Sequence, residues 1–555
     1  MAEGGIANYV IVGAGSAGCV LANRLSADPD NSVILIEAGP RDTALSLKIP
    51  AAMAANLKST DHNWAYQGEP EPTLHGRVLQ HDRGKGLGGS SSINGMVFIR
   101  GHARDFDGWR QMGCPGWGYA DVLPYFKRLE DYGGGADDYR GVGGPLNVTR
   151  PRADHPIARA FLKAGEQAGY PVTDDICGFR QEGFGVLDRT THNGVRWSAA
   201  RAFLAPVRHR ANLKVVTDVR IDRVELTDGR ATGVTGVDAI GRPVRFGATG
   251  EVVLSSGAVG TPQLLMLSGI GPADHLQQVG INVVRDLPGV GANLNEHPDF
   301  VLKFSCKQPV SLLNAARGPG KILAGLQWLL SKQGPCATNH FEAVACVRSR
   351  AGIDYPDLQL CPIPIAMDED GWDPLPMHAF QIHVGLMRAY SRGEIRLRGP
   401  DPSLAPKILV NYLSDPRDLE TMRNGIRLAR EIADQPAFAD LRGVELFPGP
   451  TVQTDDELDA VLRKSVATQW HLTCTAKMGP ATDPMAVVDP DGRVHGIDGL
   501  RVADASVMPQ VTNGNTNAPT LMIAEKLSDA ILGKPPLPRA EDPVWEHPNW
   551  DTAQR

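Results

Sequence analysis

The sequence predicts an α/β fold (α+β overall) in which a parallel-sheet unit is interleaved with a second unit of antiparallel sheet and helices. Three observations point there. The apolar run Tyr9-Val10-Ile11-Val12 leads into glycines at G-x-G-x-x-G spacing (Gly13, Gly15, Gly18), then into a helix and a second apolar strand, Val33 to Ile36, that ends in Glu37. A further strand–glycine–helix passage runs from Glu251 to Leu267. Between residues 300 and 470, strand-length runs alternate with helical ones, so the chain passes back and forth between two units.

The opening unit is of the kind that binds a dinucleotide. Gly13 permits the tight turn, Gly15 lets a pyrophosphate approach the backbone, and Gly18 lets helix and strand pack closely. Ser16 and Ala17 begin a helix whose free N–H groups suit an anion. Glu37, nineteen residues beyond Gly18 and followed by Ala38, is placed to accept from ribose hydroxyls. An acid there repels a 2′-phosphate, which disfavours NADP. These residues leave FAD and NAD both open.

Composition bounds the rest. A chain of 555 residues predicts more than one domain, and 42% hydrophobic with 21% charged residues is ordinary for a soluble enzyme. A net charge of −7 gives no electrostatic reason to expect nucleic acid as a partner. The eight cysteines are scattered without C-x-x-C and read as reduced, packed thiols of an intracellular protein. Neither H-E-x-x-H nor clustered Cys/His occurs, so no metal is expected. No basic leader precedes the first strand, and no apolar stretch approaches the roughly 20 residues that cross a bilayer. The expected location is cytoplasmic, with peripheral membrane association left open.

Residues 41 to 80 read as irregular, broken by Pro50, Pro70 and Pro72. Then come Arg83 to Met96, rich in glycine and small hydroxyls, and Val97 to Gly101. Small side chains let a flat ligand lie on the backbone, and serine and asparagine offer donors. The aromatics Trp109, Trp117, Tyr119 and Tyr125 and helical spacing near Ile157 to Ala168 mark a change of character toward a substrate-side layer. Sheet follows over 214 to 254, with Val244 to Phe246 and Glu251 to Ser255 read as separate strands. Strands at Asp357 to Cys361, Phe380 to Leu386 and Glu394 to Leu397, and helices at Leu323 to Ser331, Asp415 to Ala433 and Asp455 to Ser465, make up most of the second unit. The acidic run Asp368-Glu369-Asp370 reads as a solvated loop and Glu342 as a strand-edge acid. Near the C-terminus, Trp470 to Cys474, Leu500 to Pro509 and Gly514 to Pro519 precede a helix over Thr520 to Leu532. Pro519 suits that helix's first turn, and its positive end faces the Asn/Thr loop.

Together these stretches resemble the glucose-methanol-choline (GMC) oxidoreductases, and within them the choline-dehydrogenase-like bacterial branch of alcohol dehydrogenases. Val10 to Glu37, Arg83 to Arg100, Gly257 to Pro272 and His471 to Leu532 match in family order, spanning nearly the whole chain. The resemblance implies a Rossmann-like FAD-binding domain over 1–155, 195–300 and 470–540, a substrate domain over 156–194 and 301–469, and a tail at 541–555. It implies that Gly13, Gly15, Gly18 and Glu37 hold the ADP half of FAD with Val219 near the adenine, and that Gly88, Gly89, Asn94 and Met96 lie along the pyrophosphate and flavin. Arg83, Ser92, Gly95, Val97 and Gly257 belong to the same motifs. Asp504 and Ala505 would touch the ribityl and diphosphate region, and Asn515, Thr516, Asn517 and Ala518 would border the isoalloxazine. His471 matches the family's catalytic histidine and Asn515 its partner.

Two departures carry meaning. Ile93 stands where some relatives attach FAD through a histidine, which implies non-covalent FAD. Arg388-Ala389-Tyr390-Ser391-Arg392-Gly393 replaces Arg-Pro-x-Ser-Arg-Gly. The implied activity is oxidation of a small-molecule alcohol to an aldehyde or ketone by hydride transfer to flavin N5, with His471 as general base and electrons passed to a non-oxygen acceptor such as a quinone. An alcohol oxidase producing hydrogen peroxide is the alternative, followed by a non-redox lyase of the same fold.

Overall fold

In the computed structural model, residues 2–369, 371 and 373–555 are described, so Asp370 of the acidic run lies outside the described residues. The chain lays down β1 (Ala2–Val12) and β2 (Val33–Ile36) in a first sheet and places β3 (Gly183–Val186) in a second. It returns to the first with β4 (Leu213–Val216), β5 (Val219–Thr227), β6 (Arg230–Asp238) and β7 (Pro243–Leu254). The second is then built from β8 (Pro298–Cys306), β9 (Ala343–Val347), β10 (Leu358–Ile363), β11 (Ala379–Leu386), β12 (Arg442–Phe447) and β13 (Ala467–Thr468), before β14 (Leu500–Val502) rejoins the first. The helices used below are α1 (Ser16–Leu25), α2 (Ala103–Gln111), α3 (Tyr119–Leu129), α4 (Pro156–Gln167), α5 (Gly257–Leu267), α6 (Gly318–Ser331), α7 (Pro416–Ala433), α8 (Asp455–Ser465) and α9 (Asn517–Ile531).

The first sheet runs β4-β2-β1-β7-β6-β5, with β14 also on β7. Its β4, β2, β1, β7 and β14 are parallel, as crossover helices require, and the β5-β6-β7 meander is antiparallel. β1 begins at Ala2, earlier than the apolar run suggests, because it pairs along β7 from Ala2↔Val244 to Val12↔Leu254. β7 is likewise one strand where two were expected. Its first half bonds β6 and its second half β14, so tertiary pairing carries it across Gly247 to Gly250.

The second sheet, β12-β8-β11-β10-β9-β3, is antiparallel throughout. Side chains alternate across it. Phe300, Leu302 and Phe304 of β8, Phe380, Ile382 and Val384 of β11, and Leu358 and Leu360 of β10 are buried, on the side covered by α4 and α7. The other face looks toward the first unit. The early aromatics serve that first unit, since α2 packs on α3 and α3 on α9. Trp109 and Trp117 donate their indole N–H to the carbonyls of Gln510 and Pro490, and Arg128 pairs with Glu525 and Asp529. Of α2, α3 and α4, α4 alone packs on the second sheet.

Candidate active site

Between the two sheets lies a cavity of about 1330 Å³. One wall is the start of α1. Gly15 is its N-cap and provides no side-chain cap, so the first-turn N–H groups, orphaned within the helix, face the cavity where an anion would satisfy them. α9 also begins uncapped on this wall, and Ser16 Oγ donates to Asn517 Oδ1 at 2.8 Å, tying the two helix starts together. Two positive helix ends on one wall fit the pyrophosphate and anionic reduced ring of a flavin dinucleotide. The wall is also tightly built. A Cβ on Gly89, at φ +50, would lie 2.7 Å from Gly15 Cα, and one on Gly18 would lie 1.9 Å from the Gly13 carbonyl oxygen.

Glu37 sits at the end of β2 and lines the cavity, but its carboxylate is already engaged. It accepts the N–H of Ala14, Gly39 and Gly86, each at 2.9 Å, so it ties the first glycine turn to the second glycine cluster. Asp504 performs the same service at the other end, accepting from Gly257 N, Thr261 Oγ1, Ser506 N and Ser506 Oγ. Asn94 is held by Arg196, which donates to its carbonyl at 2.6 Å and its side-chain oxygen at 2.9 Å.

Of the residues singled out above, Gly13, Gly15, Ser16, Ala17, Glu37, Ala38, Arg83, Gly89, Asn94, Gly95, Met96, Val97, Val219, Gly257, His471, Asp504, Ala505, Asn515, Thr516 and Asn517 line this cavity. Gly18, Gly88, Ser92 and Ala518 do not reach its wall. Gly18 packs against the Gly13 carbonyl, Gly88 donates its N–H to the Ala14 carbonyl at 2.8 Å, Ser92 donates to the Leu87 carbonyl at 2.8 Å, and Ala518 is buried in the first turn of α9. Their places are in the layer that shapes the wall. Glu342 lies away from this cavity, beside a smaller cleft with Arg150, Arg152 and Arg189.

His471 follows Trp470, whose φ of 60 turns the chain so that its carbonyl accepts from the buried Arg83 guanidinium. The His471 ring is gripped from two sides. Its Nε2 lies 3.2 Å from Asn515 Nδ2, and its Nδ1 lies 3.0 Å from Nδ1 of His297. An amide NH₂ can only donate, so with this orientation of Asn515, His471 Nε2 accepts. The neutral ring then carries its proton on Nδ1 and gives that hydrogen bond to His297. Burial, His297 and the Arg83 guanidinium hold the His471 pKa well below its ordinary 6.5. Burial likewise pushes His297 down to about 3. The pair is therefore neutral at working pH, with the basic lone pair of His471 on Nε2, turned to Asn515.

Beneath this pair lies Glu296. One carboxylate oxygen accepts the backbone N–H of both His297 and His471, each at 2.8 Å, and burial pushes its pKa up to about 7 against the pull of Arg83. Sequence reasoning passed over Glu296, His297 and Asp299, although three ionisable residues within Glu296-His297-Pro298-Asp299 were a visible signal.

The far wall is the inward face of the second sheet. Register places Asp299, Val301 and Lys303 opposite Gly385, His383 and Gln381, and Gln359, Cys361 and Ile363 beyond them. A chain of hydrogen bonds crosses it. Met367 N–H donates to Gln381 Oε1 at 3.0 Å, which leaves Gln381 Nε2 to donate to His383 Nε2 at 2.7 Å. His383 Nδ1 then donates to Asp299 Oδ2 at 2.6 Å, and Gln469 Nε2 to Asp299 Oδ1 at 3.0 Å. Asp299 thus accepts on both carboxylate oxygens at the cavity wall.

Sequence profiles described as GMC oxidoreductase match residues 7–299 and 389–524. The oxygen-dependent choline dehydrogenases of Brucella ovis and Sinorhizobium fredii are each 48% identical over 549 residues, 99% of this chain and 100% of theirs. Among solved structures, pyridoxine 4-oxidase from Mesorbium loti superposes with a TM-score of 0.85 at 33% identity, covering 94% of this chain and 98% of its own. An Aspergillus oryzae formate oxidase, studied for its FAD modification, gives 0.89 at 28%, covering 96% and 99%.

Proposed function

Because this chain belongs to the GMC oxidoreductase family and is an FAD-dependent enzyme acting on CH–OH donors, we propose that it oxidises a small alcohol bearing a cationic group, choline first among them. The product is an aldehyde, and the electrons pass to a non-oxygen acceptor such as a quinone. The observation that carries the chemistry is the unprotonated His471 Nε2 beside Asn515 at the cavity wall.

FAD, when bound, supplies the two-electron acceptor. Gly13, Gly15, Ser16, Ala17, Gly89, Asn94, Met96, Val219 and the start of α9 are the residues that would hold it, and Ile93 leaves it without a covalent tether. His471 Nε2 takes the proton of the substrate hydroxyl, which makes the carbon a better donor. Asn515 donates a hydrogen bond to the oxygen as charge develops there. Asp299 favours a cationic substrate, because its carboxylate stands at the cavity wall with His383 and Gln469 as its donors, and Asp368 and Glu369 line the same cavity. The two sheets shield the reaction from bulk water.

The oxygen-dependent name of the curated relatives favours a second reading, an alcohol oxidase that forms hydrogen peroxide. One experiment tests both. Choline and neutral alcohols of similar size are mixed anaerobically with the flavoprotein, the oxidised-flavin absorbance is followed, and air is then admitted. Bleaching by choline that persists in air but reverses with a quinone is the expected result, whereas rapid recovery with peroxide selects the oxidase. Bleaching by neutral alcohols alone would defeat the cationic reading.

A further inference from the structure

Helix α6 is out of keeping with the rest of the surface. It buries only Ala324 and Trp328, while Ile322 (66% exposed), Leu323 (66%), Leu326 (49%), Leu329 (48%) and Leu330 (88%) face solvent. Their spacing places all five on one stripe of the helix. Contiguous exposed apolar surface of this kind marks an interaction surface.

The charge around it is equally uneven. The chain carries a net charge of −7, yet residues 300 to 341 contain no aspartate or glutamate and include Lys303, Lys307, Arg317, Lys321 and Lys332. Arg317, Lys321 and Lys332 flank the stripe at its two ends. Lys332 Nζ sits 3.9 Å over the Trp328 ring, its stem lying on apolar surface as an interfacial lysine does. Asp368 and Glu369 line the cavity and act on Lys303, and Asp373 adjoins the Pro374 that Arg317 contacts.

α6 also bridges the rim of the cavity. At its start Arg317 donates to the Pro374 carbonyl, on the segment whose Met367 and Asp368 line the cavity. Beyond its end the short turn Pro335–Ala337 packs on Pro50–Ala52, and Asn339, His340 and Phe341 line the cavity in turn. Fourteen residues of helix reach only about 21 Å, short of the roughly 30 Å of a hydrocarbon core, and no helix among the described residues is long and apolar enough to cross a membrane. Such a helix lies in the interface plane.

We propose that α6 docks this protein on an anionic lipid bilayer. The stripe Ile322, Leu323, Leu326, Leu329 and Leu330 enters the headgroup–acyl boundary, Arg317, Lys321 and Lys332 meet lipid phosphates, and the cavity rim is held at the membrane surface. A second copy of the chain is a poorer occupant. A two-fold contact through α6 would set each basic end against the other copy's basic residues. The inference rests on this surface and stands whichever alcohol is oxidised.

The test is flotation of the full-length, FAD-loaded protein with vesicles of phosphatidylcholine alone and with about one-third phosphatidylglycerol. Wild type should float with the anionic vesicles, and Leu323→Glu/Leu330→Glu should bind at least about tenfold less. That variant should keep its thermal midpoint and its activity with a water-soluble dye, and Lys321→Glu should weaken binding on the anionic vesicles only. Wild type that stays in solution with both vesicles, or a double variant that floats equally well, overturns the proposal. A wild-type dimer that the double variant abolishes, without flotation, assigns the stripe to a second copy instead.

Discussion

His297 Nδ1 lies 3.0 Å from His471 Nδ1, and this contact gives the Nδ1 proton of His471 an acceptor while Asn515 donates to Nε2. Without an acceptor at that point the His471 proton could sit on either nitrogen. Replacing His297 by Ala should therefore lower kcat/KM by about 10- to 100-fold, with FAD content and KM little changed. His297→Asn, whose side-chain oxygen can accept, should recover part of the loss. Equal losses in the two variants, accompanied by loss of flavin, would mean that His297 acts through folding alone.

His471→Ala removes the base itself and should cost roughly 10²- to 10⁴-fold in kcat while FAD still binds. A variant with bound flavin and near-normal turnover removes His471 from that role.

Glu296 should set the pH profile. Its pKa of about 7 lies above the ordinary carboxylate value, so it is neutral below about pH 7 and anionic above. The anion, bonded to the backbone of His471, makes the ring a stronger base, so kcat/KM should rise through an inflection near pH 7, and Glu296→Gln should remove that inflection. Stability moves oppositely. A carboxyl raised on folding contributes stability that is fully present below its unfolded pKa and is lost as pH rises through about 7. Glu296→Gln should therefore gain thermal stability over wild type at pH 8 and not at pH 4, as calorimetry at the two pH values would show.

Asp299→Asn should raise KM for choline at least tenfold and leave KM for a neutral alcohol of similar size within about twofold. Loss of both to the same degree would make Asp299 a support for Gln469 and the His471 segment rather than a contact for charge.

Gly18→Ala tests the dinucleotide wall. The added methyl would lie 1.9 Å from the Gly13 carbonyl oxygen, so α1 must move off β1. The purified variant should have lost most of its flavin absorbance. In wild type, denaturation should release all the flavin into the supernatant, since Ile93 offers no tether.

The sequence by itself determined the dinucleotide unit, because strand, glycine turn, helix and acid are consecutive and the physics that demands them is local. It likewise marked His471 and Asn515, which stand in short motifs at the C-terminal end. It also placed α7 and α8 correctly, where helical spacing and caps agree. Tertiary structure alone decided the rest. His297 meets His471 across 174 residues of chain, and the Asp299–His383 pair is made by register between strands that composition does not distinguish. β7 runs unbroken through glycines because β1, β6 and β14 all bond to it, and Glu37 and Asp504 spend their carboxylates on backbone N–H groups brought to them by other segments. A proton's position, a charge's partner and a strand's length each depend on which atoms fold into contact, and that is settled by packing between segments distant in sequence.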